Sequence, residues 1–159
     1  MTFSIVLKNR ISIEGSKFMA GKIIVGDLDE TFHASLGYWS PSQYKRQWVE
    51  GLRRIIDGGF DRSRLITSLS PPGAVGPTFS WSLYADKERV TVQQGLFIPG
   101  ELGTAIDPAD PYASIKDFAK VTDDGRTISS WVTTRSEIKA FLSHTNLDSF
   151  GDREPSSPQ

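Results

Sequence analysis

The 159-residue chain has no cysteine, two histidines and two methionines. The missing cysteines exclude disulfides, thiolate metal sites and cysteine nucleophiles together. Only His33 and His144 are present to act as imidazole bases, and no G-x-S-x-G elbow accompanies them, so a serine-hydrolase triad has little to be built from. The glycines form neither G-x-G-x-x-G nor a P-loop, which removes those two routes to nucleotide binding. No stretch approaches the roughly 18 apolar residues of a membrane span. The opening MTFSIVLKNRISIEG has only a short apolar run and no small-residue cleavage signature, so the expected location is the cytoplasm. Neither sign of charge dominates: 18 Lys and Arg against 19 Asp and Glu leave a net charge of −1, which argues against a general nucleic-acid binder.

What the chain does have is aromatic bulk. Four Trp, four Tyr and nine Phe supply much of a core for a single domain. The clearest element lies in YWSPSQYKRQWVEGLRRIIDGG, residues 38–59. Ser40 stands at an N-cap, Pro41 at the first helical position and Gln43 three residues after the cap, the pattern of a capping box. Trp39 is placed to staple onto Tyr44. Tyr44, Trp48, Leu52, Ile55 and Ile56 share one helical face, while Arg46, Glu50, Arg53 and Arg54 share the other. Glu50 precedes Arg54 by four residues, which predicts a helical ion pair, and Gly58 or Gly59 ends the helix.

Around that helix the pattern is of strands. Phe3, Ile5 and Leu7 alternate and are followed by Ile11 and Ile13, as one long strand or a hairpin, with a turn at 14–16. Residues 22–26 read as a short buried strand, 31–34 as extended, and 64–70 as a strand stopped by Pro71-Pro72-Gly73. Residues 78–84 and 89–98 read as a hairpin turning at 86–88. From Pro99 the chain is rich in Gly, Pro and Asp, and Asp107-Pro108-Ala109-Asp110-Pro111 excludes regular structure. Residues 112–121 are ambiguous between strand and helix. Asp123-Asp124-Gly125 predicts a turn, 127–132 a return strand, and Thr134 with Glu137 a second capping box opening a last helix with Ile138, Phe141 and Leu142 on its apolar face. The expected fold is a single α+β domain over residues 1–150, a largely antiparallel sheet with two main helices packed on it, and a polar, disordered tail at 151–159.

Asp27, Asp29, Glu30 and His33 form the only cluster of ligand-type residues. On a strand Asp27 and Asp29 would share a face and Glu30 would point away, so the expectation is a solvated edge or an acidic docking surface, with no metal. Arg53, Arg54, Arg62 and Arg64 make a basic patch suited to the helix dipole. Trp39, Trp48, Trp81 and Trp131 are expected in the core.

Several segments, in order, resemble immunity proteins of bacterial contact-dependent growth-inhibition systems. They are GKIIVGDLDETF at 21–32, then Tyr38-Trp39 with Tyr44, Gln47 and Trp48, then Leu65-Ile66-Thr67-Ser68, Trp81-Ser82-Leu83-Tyr84, and DGRTISSW at 124–131. The likeness spans about residues 21–142. It departs from the family pattern at Ser130, where a glutamate often stands, and at Ser80-Trp81, where two tryptophans often do. The resemblance implies a non-catalytic protein, without cofactor, metal or direct nucleic-acid or membrane contact, whose partner is the C-terminal toxin domain of a contact-delivered effector. Such toxins are often nucleases with basic substrate sites. The carboxylates Asp27, Asp29 and Glu30, or Asp107 and Asp110, are therefore the expected toxin contacts. The alternative from another class is a small hydrolase or RNA-processing enzyme using Asp27, Asp29, Glu30 and His33.

Overall fold

The structure is a computed structural model in which residues 2–71, 76–97 and 106–144 are described. The stop expected at Pro72-Gly73, the loop opening at Pro99-Gly100 and the polar tail lie outside these residues. In chain order the elements are β1 (Phe3–Ile13), β2 (Ser16–Val25), β3 (Leu28–Ser35), α1 (Pro41–Ile56), β4 (Arg62–Ser68), β5 (Thr78–Asp86), β6 (Arg89–Phe97), β7 (Trp131–Thr134) and α2 (Arg135–Ser143). The α+β class is as expected, but the strands form two antiparallel sheets rather than one: β1-β2-β3 and β4-β5-β6-β7.

β1 is one strand interrupted by a bulge. Its register with β2 runs from Phe3↔Val25 to Leu7↔Gly21 and resumes at Arg10↔Met19. The extra residue reverses the face presented by everything after it. Phe3, Ile5 and Leu7 are buried, whereas Ile11 and Ile13 pair with Phe18 and Ser16 on the solvent side, and Ile13 is 42% exposed. A two-residue turn at Gly26-Asp27 joins β2 to β3, from Val25↔Leu28. Gly26 has φ +60°, and a Cβ there would lie 2.8 Å from the Val132 carbonyl of β7, so at this turn the first sheet comes close against the second.

α1 forms as its sequence dictates. Ser40 accepts from the Gln43 N–H, and the Ser40 N–H donates to Gln43 Oε1 at 2.9 Å, closing the capping box. Trp39 packs edge-on against Tyr44, centroids 5.3 Å apart. Tyr44, Trp48, Leu52 and Ile55 are fully buried and Ile56 partly so. The helix ends at Ile56, with Asp57 as cap and the N–H groups of Asp57 and Gly58 both donating to the Arg53 carbonyl. The inner faces of both sheets, α1 and Ile138 of α2 make one core.

The join between helix and sheet is unusually direct. β4 is an edge strand, and α1 runs along its free edge. Gln47 acts there as a substitute strand: Nε2 donates to the Arg64 carbonyl and Oε1 accepts from the Ile66 N–H, each at 2.7 Å. Trp48 Nε1 donates to the Ile66 carbonyl at 2.7 Å, and Ser63 Oγ donates to the Gly51 carbonyl at 2.6 Å. Tyr44 bridges the sheets, its hydroxyl donating to the Ser35 carbonyl of β3 at 2.7 Å and accepting from the Leu69 N–H at 3.0 Å. Only glycine fits at position 51, since a Cβ would stand 2.7 Å from the Arg64 carbonyl oxygen.

The second half of the chain departs from expectation in two places. Residues 112–121 are neither strand nor helix, and the return strand proper begins at Trp131, with only a Val121↔Thr127 bridge closing the turn before it. Thr134 caps α2 by accepting from the Glu137 N–H at 3.1 Å, which is one half of the predicted box. Arg135 then ties α2 to both neighbours, donating from Nη1 to the Ile55 carbonyl and from Nε to the Lys87 carbonyl.

Replacing Gln47 by leucine keeps the volume and removes both bonds to β4. Two buried backbone groups lose their partner, at about 1–3 kcal/mol each. The expected outcome in chemical denaturation is a loss of about 2–5 kcal/mol, with the denaturant slope unchanged. A loss below about 0.5 kcal/mol would mean the edge is satisfied in some other way.

Candidate functional site

The four-stranded sheet has a polar outer face, on which alternation places Arg62 and Arg64 of β4, Ser80, Ser82 and Tyr84 of β5, and Thr91 and Gln93 of β6. Across it lies a strap, residues 106–130, without helix or strand. Side chains from beneath hold it down. Arg64 is 7% exposed; its Nη1 donates to the Pro111 carbonyl and to Ser114 Oγ, both at 2.9 Å, and its Nη2 to the Ser114 carbonyl at 3.3 Å. Tyr84 donates to the Lys116 carbonyl at 3.0 Å, and Gln93 Nε2 to the Ala119 carbonyl at 2.8 Å and Ser130 Oγ at 2.9 Å. Tyr84 also meets Phe118 edge-to-face at 5.3 Å. At the α1 end, Arg54 is sandwiched between Phe60 and Tyr112, 3.9 and 4.0 Å from the two ring centres. That stacking replaces the ion pair expected with Glu50. Gln47 Nε2 reaches Tyr112 Oη at 3.2 Å.

Arg64 is a buried cation with no carboxylate partner among the described residues, and its Nε makes no hydrogen bond. Desolvation pushes its pKa down, opposed by Tyr84. Strap carbonyls take the place of a counter-ion, so the strap is fixed by charge-assisted hydrogen bonds. Between the strap and the ends of β5 and β6 opens a groove of about 570 Å³, whose lining includes Arg62, Tyr84, Arg89, Phe118 and Lys120. Arg62 is joined to Asp117 at 2.7 Å.

The carboxylates picked from sequence do not gather into one site. Asp27 sits in the β2–β3 turn, off the strand, so it does not share a strand face with Asp29. Asp29 lies on the outer face of the three-stranded sheet, paired with Lys22 at 3.1 Å. Glu30 stands opposite Ile23, on the inward side, half-buried. His33 is exposed on the outer face beside Phe18, ring centres 6.5 Å apart. No group of three metal-ligating side chains exists among the described residues. Asp107 and Asp110 are both exposed at the start of the strap. They close its first turn, Asp107 Oδ1 accepting from the Ala109 N–H at 2.9 Å and the Asp107 carbonyl from the Asp110 N–H at 3.0 Å. The arginine patch is likewise divided: Arg53 is exposed, Arg54 stacked, Arg62 ion-paired and Arg64 buried. Trp39, Trp48 and Trp81 are core as expected, and Trp131 packs half-buried on Trp81 at 5.8 Å.

Sequence reasoning did not find the parts played by Gln47, Arg64, Tyr84 and Gln93. The one signal available was the Asp-Pro-rich start of the strap, since an ordered irregular segment of that length needs anchors from elsewhere.

A family model described as the CdiI N-terminal domain matches residues 34–141, from the end of β3 through most of α2. The chain belongs to the CdiI N-terminal domain family. The resemblance to immunity proteins of contact-dependent growth inhibition is thereby borne out. The curated Immunity protein CdiI of Enterobacter cloacae is 27% identical over 136 residues, 86% of this chain and 92% of that one. A solved structure described as a CdiA-CT/CdiI toxin and immunity complex from Enterobacter cloacae shares the fold with a TM-score of 0.77 at 28% identity, over 88% of this chain and 95% of its own. The segment 21–32, part of the sequence resemblance, precedes the span that the family model matches. Among the described residues, no helix is long and apolar enough to cross a membrane.

Two measurements follow from these contacts. Arg64→Met removes the anchors to Pro111 and Ser114, and amide exchange across residues 111–119 is expected to quicken at least about tenfold; unchanged exchange there would show that the strap is held by its other anchors alone. Burial raises the Tyr44 and Tyr112 hydroxyls to about 12. In the unfolded chain both ionise near the ordinary value of about 10. Above that pH the unfolded state binds fewer protons than the folded one, so stability present below about pH 10 is lost as pH climbs toward 12. Urea midpoints should fall between about pH 9 and about pH 11.5, and Tyr44→Phe, less stable at neutral pH, should show a shallower fall. An equally steep fall in Tyr44→Phe would assign the lability to other groups.

Proposed function

We propose that this CdiI-family chain is an immunity protein that binds the C-terminal toxin domain of a contact-delivered effector and neutralises it without chemistry of its own. The observation that carries this is the likeness, over nearly its whole length, to a chain solved within a CdiA-CT/CdiI toxin and immunity complex. The dispersal of Asp27, Asp29, Glu30 and His33 over a turn and two opposite sheet faces supports a binding role over the enzymatic alternative, because no three of these groups gather at one point.

The toxin is a nuclease in this reading, and the chain covers its active or substrate-binding surface in the cytoplasm of the producing cell or its siblings. A nuclease surface that holds phosphates is basic, and exposed carboxylates complement it. Asp107 and Asp110, projecting from an anchored strap, suit that contact best. Asp27 and Asp29 offer a second patch, and Glu30, half-buried on the inward side, offers the least.

The test pairs the purified chain with the C-terminal domain of the effector encoded just upstream. Stoichiometric loss of nucleolytic activity is expected, with a dissociation constant on the order of nanomolar or tighter. Asp107→Lys with Asp110→Lys should weaken the complex and flatten its salt dependence; unchanged affinity and salt dependence would discard that patch, and the same comparison decides on Asp27 and Asp29. Substrate turnover by the chain alone, abolished at His33, would sink the non-catalytic reading.

A further inference from the structure

We infer that the free edge of β1, at Arg10–Glu14, pairs with the same edge of a second copy of this chain and gives a two-fold symmetric dimer. The residues it uses belong to the first sheet and precede the span matched by the family model, so it stands apart from the toxin-binding reading. Three features meet on this short stretch.

The first is an open edge. β1 pairs with β2 alone, and β3 ends its ladder with β2 at Phe18↔Ser35, so the β1–β2 hairpin runs on past it. Glu14 and Gly15, with φ +50° and +82°, make the two-residue turn, and Ile13 stands opposite Ser16. Such a turn makes its flanking residues a hydrogen-bonded pair, and bonded pairs alternate along an antiparallel ladder. Ile13 and Ile11 therefore direct their N–H and C=O groups to β2. Arg10 and Ser12 direct theirs to the other side, where no described strand lies. α2 covers β1 at its far end, where Phe141 meets Phe3 at 5.5 Å. The second feature is an apolar stripe. Ile13 is 42% exposed, and Ile11 and Phe18 beside it are half-buried, all on the outer face. Arg10, Ser12 and Lys17 on the reverse face are exposed too, so the hairpin projects beyond the core.

The third feature is self-complementarity. Arg10-Ile11-Ser12-Ile13-Glu14 reads cation, isoleucine, serine, isoleucine, anion. Antiparallel pairing about Ser12 sets it against Ser12 of the second copy, each N–H donating to the other's carbonyl. Ile11 then faces Ile13 of the second copy across a non-bonded pair, where side chains approach most closely, and symmetry supplies that contact twice. Arg10 faces Glu14 of the second copy, also twice, and neither residue has an ion-pair partner among the described residues. Other registers are poorer: pairing about Ile11 sets Ile13 against Asn9, and pairing about Arg10 sets two arginines together. Bulges and lysines blunt natural edges. Here the bulge and Lys8 both precede the stretch, which leaves it regular and limits sliding. The joined edges make one six-stranded sheet from two of three strands. The contact is small beside a standard interface, so the dissociation constant is on the order of 10–100 µM.

Sedimentation equilibrium of the full chain from about 5 µM to about 1 mM brackets such a constant, with thermal midpoints recorded for every variant. Ser12→Pro removes an N–H that β2 does not use, and an edge strand tolerates proline there; dimer affinity should fall at least about tenfold. Arg10→Glu sets like charges at both ends and should weaken the dimer at least about fivefold, whereas Arg10→Glu with Glu14→Arg should return it to within about threefold of wild type. If Ser12→Pro does not fold, the two charge variants decide. A wild-type chain still monomeric at about 1 mM would overturn the inference. So would a folded Ser12→Pro that dimerises like wild type, or a double charge reversal that restores nothing. A monomeric wild type whose affinity for the upstream-encoded toxin domain drops in Ser12→Pro would also overturn it, by assigning the edge to the toxin.

Discussion

One side-chain amide joins the two halves of this molecule. Gln47 presents a donor and an acceptor to the edge of β4 in the order a neighbouring strand would, and the edge is thereby completed by a helix. An unpaired strand edge buried against a helix would leave its N–H and C=O groups without water or partner, a cost of several kcal/mol over a few residues. Trp48, Ser63 and Tyr44 extend the same solution along the strand, and Tyr44 carries it across to β3. The close approach requires glycine at 51. Every other long-range feature follows from that seam: the common core, the relation of the two sheets, and the orientation of the polar face on which the strap lies.

The local parts of this architecture were legible in the chain. The Ser40–Gln43 capping box, the Trp39 staple, the Tyr44–Ile56 stripe and the β5–β6 hairpin depend on residues within a turn or two of one another, and their chemistry is written in their spacing. The division into two sheets was not legible, because nothing local says that β3 stops pairing at Ser35 and hands on to a helix. Gln47 reads as an ordinary polar residue until the strand beside it is known. Arg64 reads as one more surface cation, since its burial is made by a strap some 47 residues away. The acidic cluster misleads for a related reason. Adjacent carboxylates look like a patch in one dimension, but a turn at Asp27 and the alternation of β3 send Asp29 and Glu30 to opposite sides.

The arrangement separates what holds the fold from what meets a partner. Trp39, Trp48, Trp81, Tyr44 and the Gln47 seam are sealed inside, and they lie in the span that the family model matches. The strap lies on the outer face of the sheet, attached through side-chain anchors that grip strap carbonyls at 111, 114, 116 and 119. Because main-chain oxygens do the receiving, most strap residues can be exchanged without loosening the attachment. A protein that must keep pace with a changing partner gains from such a division.

The bulge in β1 suggests how a surface of this kind changes abruptly. One additional residue between Leu7 and Arg10 decides that Ile11 and Ile13 look outward beside Phe18. Were the pairing of Leu7 with Gly21 to continue without the bulge, Ile11 would stand opposite Lys17 and turn inward while Arg10 and Ser12 turned outward, with no substitution at any of the positions affected. A bulge gained or lost, as much as a point mutation, thus exchanges the two faces of a strand end.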